Sequence, residues 1–264
     1  MDSYVNGLLC CPLCRGGLVH ETAGQPEGIR TSGLHCTGCD RYYEDNGLWI
    51  DFLNDGGLVY RNSRDKFFRS IYAKIYTPAT NAMFLLCGGA KNARNEVMER
   101  LRVSEGNRVL ETGIGYGENF LWLNNRISGL RLYGLDIQQE MLAHCSANLA
   151  RWNINAGIVR ADALLLPYND GVFDVVYHLG AINLFEDKRK AISEMIRVSK
   201  PGTHIVIADE TEKAGRLFRI FTGEAEKVIP PVDMVPQEMK NISLSTIWKG
   251  YGYLIEFDVT GPVL

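Results

Sequence analysis

Short apolar runs alternate with amphipathic segments over residues 108–210, which predicts β-strands and α-helices in turn. Five apolar runs predict strands, and they begin near positions 108, 132, 158, 173 and 204. The clearest helical spacing extends from Lys188 to Lys200, where Pro201-Gly202 ends the pattern. Strands that alternate with helices favour an α/β fold built on a doubly wound parallel sheet.

The segments before residue 108 and after residue 210 show different hydrophobic patterns. Apolar residues at helical spacing predict helices within residues 61–104, interrupted at Pro78 and Gly88-Gly89. Residues 211–240 depart from the alternating pattern, and we expect them to form a lid over the functional site. Two alternating stretches after position 240 predict a closing hairpin.

The first 39 residues contain five of the seven cysteines. Cys11-Pro-Leu-Cys14 and Cys36-Thr-Gly-Cys39 are two C-x-x-C pairs with 21 residues between them. Four thiolates at this spacing suit tetrahedral Zn²⁺, and four protein ligands leave no open position, so the predicted site is structural. Disulfides or a redox C-x-x-C are the alternatives, and we interpret Cys10 as a spare thiol.

Residues 41–53 predict two short strands joined by a turn at Asn46-Gly47. With the cysteine pairs, residues 7–54 resemble the zinc-ribbon module that serves as an activator subunit of some tRNA and protein methyltransferases. The glycine-rich stretch at 54–57 is the natural linker. We therefore predict a zinc-ribbon module over residues 1–56 and a second domain over residues 57–264.

Composition and charge narrow the class of protein. The chain has 264 residues, of which 46% are hydrophobic and 22% charged, which excludes a disordered chain or a disulfide scaffold. Residues 61–108 contain 10 basic and 4 acidic residues, although the net charge of the chain is −3. The apolar runs are too short to span a membrane and no secretory leader is visible. We expect a soluble, cytoplasmic protein with no membrane partner.

The most informative stretch is a glycine-rich loop after the first predicted strand of the second domain. Glu111 precedes glycines at every second position, Gly113, Gly115 and Gly117, and a helix can begin at Glu118. Glycine lets the backbone approach a ligand closely, and the helix N-terminus offers free N–H groups. Such a loop predicts a nucleotide-type ligand.

Acidic residues follow the next two predicted strands. Asp136 lies 19 residues after Gly117, at a position where a carboxylate can accept both hydroxyls of a ribose. Asp162 follows the third strand, where it can accept a hydrogen bond from an adenine amino group. A nicotinamide-dependent dehydrogenase is the main alternative, but its usual G-x-G-x-x-G loop lacks an acid two residues before the first glycine.

Four motifs together resemble class I S-adenosylmethionine (SAM) methyltransferases. They are E-x-G-x-G-x-G, Asp136-Ile137, Ala161-Asp162-Ala163, and F-D-V-V followed by R-V-x-K-P-G. The chain is most similar to the branch with ubiquinone and menaquinone C-methyltransferases, over about residues 60–210. The resemblance implies a seven-stranded Rossmann-like sheet. It also implies that SAM is held by Tyr72, Tyr76, Glu111, Gly113, Gly115, Gly117, Asp136, Ile137, Asp162, Ala163 and His178.

Methyl transfer is an in-line displacement, so a general base is needed only where the acceptor must lose a proton. His178, after the fourth strand, is the first candidate for that base, and the alternative is a histidine that packs on SAM or caps backbone. Asn183, Asp209 and Glu210 lie at the same edge of the predicted sheet and are candidates for orienting the acceptor.

Three functions remain open at this point. A small-molecule methyltransferase with a structural zinc ribbon is favoured by the apolar lid and the acidic balance. An rRNA or tRNA methyltransferase is the alternative, because the ribbon and the basic segment 61–108 suit an RNA acceptor. The third is a SAM-binding regulatory protein that catalyses no transfer.

Overall fold

The computed structural model describes residues 7–24, 30–53, 84–85, 88–214 and 228–261. Tyr72 and Tyr76 lie outside the described residues, as do most of the predicted helical segment before position 88 and residues 215–227 of the predicted lid. Within the described ranges, every helix is too short or too polar to cross a membrane.

The described residues form eleven strands and four α-helices. The strands are β1 (Leu18–Gly24), β2 (Arg30–Cys36), β3 (Tyr42–Asp45), β4 (Ile50–Asp51), β5 (Arg108–Thr112), β6 (Arg131–Asp136), β7 (Ala156–Arg160), β8 (Val175–Leu179), β9 (His204–Glu210), β10 (Lys240–Ile247) and β11 (Gly252–Asp258). The helices are α1 (Ala90–Met98), α2 (Glu118–Asn124), α3 (Gln139–Arg151) and α4 (Lys188–Val198).

All the strands belong to one sheet, in the order β1-β2-β3-β4-β7-β6-β5-β8-β9-β11-β10. The five strands from β5 to β9 pair in parallel, as the alternation of strands and helices predicts. β10 and β11 form the predicted antiparallel hairpin, which joins the sheet through β9. The α/β fold and its doubly wound parallel centre are therefore confirmed.

Alternate residues of the central strands enter two different apolar cores. Leu110 and Val176 pack in one core with residues of α4, whereas Val109 and Tyr177 pack in the other with residues of α1, α2 and α3. Because successive side chains of a strand point to opposite faces, helices cover both sides of the parallel sheet. Strands buried on both faces explain the uninterrupted apolar runs Val175–Tyr177 in β8 and Ile205–Ala208 in β9.

Helix α4 shows how the sequence sets a boundary. The Asp187 side chain accepts a hydrogen bond from the Lys190 amide, which caps the first turn. Apolar residues at helical spacing, such as Ile192 and Met195, are buried against the sheet. The helix ends at Val198, two residues before the predicted end, because Ser199 already adopts an extended conformation.

The prediction of a seven-stranded sheet is corrected to eleven strands. Seven strands come from residues 108–258, and β1 to β4 extend the same sheet. The extension depends on β4, which pairs in parallel with β7 through Ile50 opposite Val159 and Asp51 opposite Arg160. Because this pairing joins residues 109 positions apart, no local pattern in the sequence indicates it.

A second connection lies beside the first C-x-x-C pair. Leu9 forms an antiparallel bridge with Tyr168, and the Cys10 amide donates to the Pro167 carbonyl at 3.1 Å. Leu34, Tyr43 and Phe52 are buried in the same apolar core as residues of β7. The cysteine-rich module (residues 7–53) and the parallel sheet therefore share backbone hydrogen bonds and a hydrophobic core.

A buried carboxylate reinforces this connection. Glu194 of α4 is only 2% exposed and accepts hydrogen bonds from Arg15 at 2.9 Å and from the Leu166 amide. Arg197 also donates to it. Burial opposes ionisation, but these arginines hold the pKa of Glu194 below its usual value. The carboxylate therefore stays charged and joins the first cysteine pair to the helix.

Candidate cofactor site and four-cysteine centre

The glycine-rich loop connects β5 to α2 and folds against the end of β6. The amides of Gly113 and Ile114 both donate to the Leu135 carbonyl, at 2.8 and 2.9 Å. Gly117 caps α2 with a φ of 76°, and a Cβ there would lie 2.9 Å from the Cys145 sulfur. Backbone conformation and close packing thus both require glycine at position 117.

Asp136, at the end of β6, faces this loop. Its Oδ2 accepts from the Gly115 amide at 3.0 Å, and its Oδ1 accepts from the Gln138 amide at 2.9 Å. Two amide hydrogen bonds fix the orientation of the carboxylate beside the loop. The structure therefore brings together the glycine loop and the predicted ribose-binding acid.

Asp162 lies on the neighbouring strand end and carries a buried oxygen. Oδ1 accepts from the Leu164 amide at 2.9 Å, whereas Oδ2 is buried and has no hydrogen-bond partner in the part of the chain that the structure describes. Burial raises the pKa of this carboxyl. The Ala161 amide also donates to the Asp136 carbonyl, which ties the two acidic strand ends together. A buried acceptor in this position fits a ligand that donates a hydrogen bond.

Glu111 is buried beneath the loop, and two neutral donors occupy its carboxylate. Asn119 donates at 2.6 Å and the Tyr177 hydroxyl at 2.9 Å. Burial raises the pKa of Glu111 to about 8, despite these hydrogen bonds. Arg94 of α1 donates to the other end of the Asn119 amide at 2.9 Å and fixes its orientation.

The two partners of Glu111, and Arg94 behind them, are absent from the set of site residues predicted from the sequence. Asn119 is the residue that sequence reasoning could most easily have identified, because it is a polar residue in the first turn of the helix that follows the loop. Tyr177 and Arg94 come from distant elements, and nothing local in the sequence connects them with Glu111.

His178, at the end of β8, is fully buried and in a defined tautomer. Its Nδ1 lies 2.6 Å from the Thr112 carbonyl oxygen, which can only accept, so Nδ1 carries the proton. Nε2 is buried without a hydrogen-bond partner among the described residues. Burial lowers the pKa of the imidazole to about 4, so the ring is neutral at physiological pH. The structure thus presents an Nε2 lone pair beside the glycine loop.

The aromatic ring of Phe185 packs against this histidine. The two ring centroids are 5.2 Å apart with an interplanar angle of 64°. Gly113 also lies close to this ring, since a Cβ at that position would be 3.2 Å from Cε1 of His178. His178 is therefore packed against both an apolar ring and the glycine loop.

Asn183 and Asp209 are hydrogen-bonded to each other, as their predicted positions at one edge of the sheet indicate. The backbone N–H of Asn183 donates to Asp209 Oδ2 at 2.7 Å, and the side-chain amide of Asn183 donates to the Glu210 carbonyl. The Tyr253 hydroxyl donates to Asn183 Oδ1 at 2.8 Å. Burial raises the pKa of Asp209 to about 6. Protein groups already occupy the Asn183 side chain, so the geometry favours a role in holding the loop.

The four paired cysteines form one compact cluster. All four sulfurs lie within 4.8 Å of one another, with Cys11 and Cys39 sulfurs 3.6 Å apart and Cys14 and Cys36 sulfurs 3.4 Å apart. A tetrahedron with metal–sulfur bonds of about 2.3 Å has edges of about 3.8 Å, so the donor set fits a zinc ion. Cys10 is buried outside this cluster.

Hydrogen bonds from other residues reach three of the four sulfurs, whereas the neighbouring Cys14 sulfur raises the pKa of Cys39 to about 12. The amides of Gly16 and Gly38 each donate to the second-preceding cysteine sulfur at 3.4 Å. The Tyr43 hydroxyl lies 3.0 Å from the Cys11 sulfur. Burial opposes the charge, but this hydroxyl and nearby amides lower the pKa of Cys11 to about 6. The cluster therefore has the chemistry of a metal centre, and zinc itself stays a prediction.

Comparison with known proteins shows which protein family the region around the glycine loop is similar to. Residues 110–207 match a family described as a methyltransferase domain, a range that includes the glycine loop, Asp136, Asp162 and His178. The matched range omits the cysteine-rich module.

Two curated relatives and one solved structure illustrate the similarity. Methyltransferase GfsG of Streptomyces halstedii is 26% identical over 209 residues, which cover 72% of this chain and 74% of GfsG. Demethylmenaquinone methyltransferase of Thermus thermophilus is 33% identical over 102 residues, 39% of this chain and 46% of that protein. Phosphoethanolamine N-methyltransferase 2 of Haemonchus contortus, solved with S-adenosylhomocysteine, has a TM-score of 0.58 at 16% identity, covering 76% of this chain and 61% of its own.

The solved structure establishes likeness of fold alone, and the chain spans less than half of the Thermus relative. The family match and the curated relatives agree that residues 110–207 are similar to methyltransferase domains.

Proposed function

We propose that the chain transfers a methyl group from SAM to a small organic acceptor, and that a structural zinc ion occupies the four-cysteine centre. The observation that carries the proposal is the row of buried polar groups at the carboxyl ends of the parallel strands. When bound, SAM supplies an activated methyl group for in-line displacement. The residues of the chain bind it, orient the acceptor and exclude water.

Each polar group at this edge suits a different part of SAM. The Asp162 oxygen that has no partner among the described residues suits the adenine amino group, and the Asp136 carboxylate, fixed beside the glycine loop, suits ribose hydroxyls. Glu111 is buried with a raised pKa, and a ligand ammonium nearby would favour its ionised form. These fits support SAM as the ligand.

The proposed role of His178 follows from its fixed tautomer. With its pKa lowered to about 4, the imidazole is a weak base at neutral pH. Its Nε2 is nevertheless an available hydrogen-bond acceptor next to the loop. We propose that this Nε2 accepts a hydrogen bond from SAM or from the methyl acceptor. We propose that Asn183 holds the neighbouring loop in place.

Two observations favour a small organic acceptor. The wall beside His178 is the aromatic ring of Phe185, which suits an apolar molecule. The Thermus relative is named for a quinone substrate. An RNA acceptor is less favoured, because three arginines in the described part of the basic segment already form ion pairs within this chain. The pairs are Arg94 with Glu118, Arg100 with Glu256 and Arg102 with Asp258.

The acceptor class can be tested by incubating the purified chain with methyl-labelled SAM and an extract separated into small-molecule, RNA and protein fractions. Label in an organic small molecule is the expected result. Label in RNA would replace the proposal with the RNA alternative. SAM binding without transfer to any fraction would instead favour the regulatory alternative.

The Asp162→Ala variant is expected to weaken binding of S-adenosylhomocysteine about tenfold, because one buried hydrogen bond worth about 1–1.5 kcal/mol is lost. Isothermal titration calorimetry measures the change. Glu99→Ala, at an exposed position after α1, serves as the control and should bind like the unmodified chain. Equal affinity of Asp162→Ala and the control would contradict the adenine assignment.

The buried neutral state of His178 predicts a pH dependence of stability. Its pKa is about 4 in the folded chain and near 6.5 when exposed. Between these values only the unfolded state takes up the proton, so stability present above pH 6.5 is lost as the pH falls towards 4, by up to about 3 kcal/mol.

Urea denaturation at pH 7.0, 5.5 and 4.5 tests this dependence. The His178→Gln variant should lose less stability on acidification than the unmodified chain, whereas His20→Gln, at an exposed position, should behave like the unmodified chain. Parallel pH curves for all three proteins would show that His178 is not the responsible group.

The four-cysteine centre predicts one zinc ion per chain, held by thiolates that a chelator can compete for. Elemental analysis of Cys39→Ser should show loss of most of the zinc, because the substitution removes a ligand. Cys10→Ala should retain it, because Cys10 lies outside the cluster. Full zinc content in Cys39→Ser, or its loss in Cys10→Ala, would refute the ligand set.

A further inference from the structure

Arg160, the last residue of β7, connects the cysteine-rich module to the cofactor site. Its Nη1 donates to Asp51 Oδ2 of β4 at 2.7 Å, and its Nε donates to the Ile137 carbonyl at 3.3 Å. Its own carbonyl accepts from the Phe52 amide at 2.9 Å. One residue therefore contacts the module and the loop after β6 at the same time.

The neighbours of Arg160 are the groups proposed to hold adenosine. Ile137 follows Asp136, and Asp162 lies two positions beyond Arg160. The Ala161 amide donates to the Asp136 carbonyl. A displacement of the guanidinium would thus act on both acidic strand ends, through Ile137 on one side and through the backbone of residues 160–162 on the other.

Asp51 determines where the guanidinium points. The two side chains are 23% and 21% exposed, so solvent partly screens their attraction and the pair adds little to overall stability. Its geometric effect is larger, because a planar guanidinium held at one nitrogen has its other donors in fixed directions. Without Asp51, the side chain is free to turn towards water and to leave the Ile137 carbonyl.

We propose that Asp51 and Arg160 are positioning residues through which the cysteine-rich module raises the affinity of the chain for SAM. The inference rests on the proposed function. It assigns to the module a contribution to the cofactor site that is separate from its contribution to folding. The module acts by holding the loop at residues 136–138 in the conformation that binds adenosine.

Titration calorimetry with S-adenosylhomocysteine, together with thermal unfolding, tests the proposal on the full chain. Asp51→Asn and Arg160→Met should each weaken binding about tenfold, and the double variant should be no weaker than either single one, because both act through one contact. Arg160→Lys, with a single donor nitrogen, replaces Arg160→Met if that variant does not fold.

Arg15→Met is the matched control, because it removes another ion pair between the module and the parallel sheet. Glu194 keeps its hydrogen bonds from Arg197 and the Leu166 amide in that variant. We expect Arg15→Met to lower the melting temperature and to leave the affinity for S-adenosylhomocysteine unchanged.

A charge exchange separates positioning from general stabilisation. In the double variant with Asp51→Arg and Arg160→Asp, the ion pair returns, but residue 160 has no side-chain donor for the Ile137 carbonyl. The melting temperature should be close to that of the unmodified chain, while the affinity stays about tenfold low. Recovery of the affinity in this double variant would show that the ion pair alone suffices, and would overturn the proposal.

The outcomes distinguish this inference from the proposed function. If the unmodified chain does not bind S-adenosylhomocysteine, the proposed function fails and the inference fails with it. If the unmodified chain binds and Arg160→Met binds equally well, only the inference is overturned.

Discussion

The pairing of β4 with β7 is the contact on which the rest of the structure depends. A parallel strand at the edge of a sheet has unpaired N–H and C=O groups, and β4 supplies partners for those of β7. Through this pairing, four strands of a cysteine-rich module extend the parallel sheet and share its apolar core. The same strand, β7, ends beside Asp162, so the module lies next to the proposed cofactor site.

The cofactor site contains buried polar groups that the described chain only partly satisfies. The Asp162 oxygen and the His178 Nε2 have no partner there, and Glu111 is buried with a raised pKa. Burying such groups costs free energy unless a hydrogen-bond partner is present. A ligand with complementary donors and a positive charge would offset that cost, which is the physical reason why this edge binds SAM in our account.

Much of the fold could be predicted from the sequence, because it depends on local patterns. Apolar runs and helical spacing place β5 to β9 and α4, and the glycines and acids at strand ends place the site. Contacts between distant residues could not be predicted, among them β4 with β7, Asp51 with Arg160, and Tyr177 with Glu111. For the same reason, a sheet of seven strands was expected where eleven are found. The occupied amide of Asn183 likewise depends on Tyr253, which is 70 positions away.

We infer that β4 and the cofactor loops belong to one cooperative unit. Amide hydrogen exchange with and without S-adenosylhomocysteine tests this cooperativity. Our account predicts that the ligand slows exchange in residues 113–117, 136–138 and 162–164 and also in residues 50–52 of the module. Slower exchange in the loops with no change in residues 50–52 would contradict it.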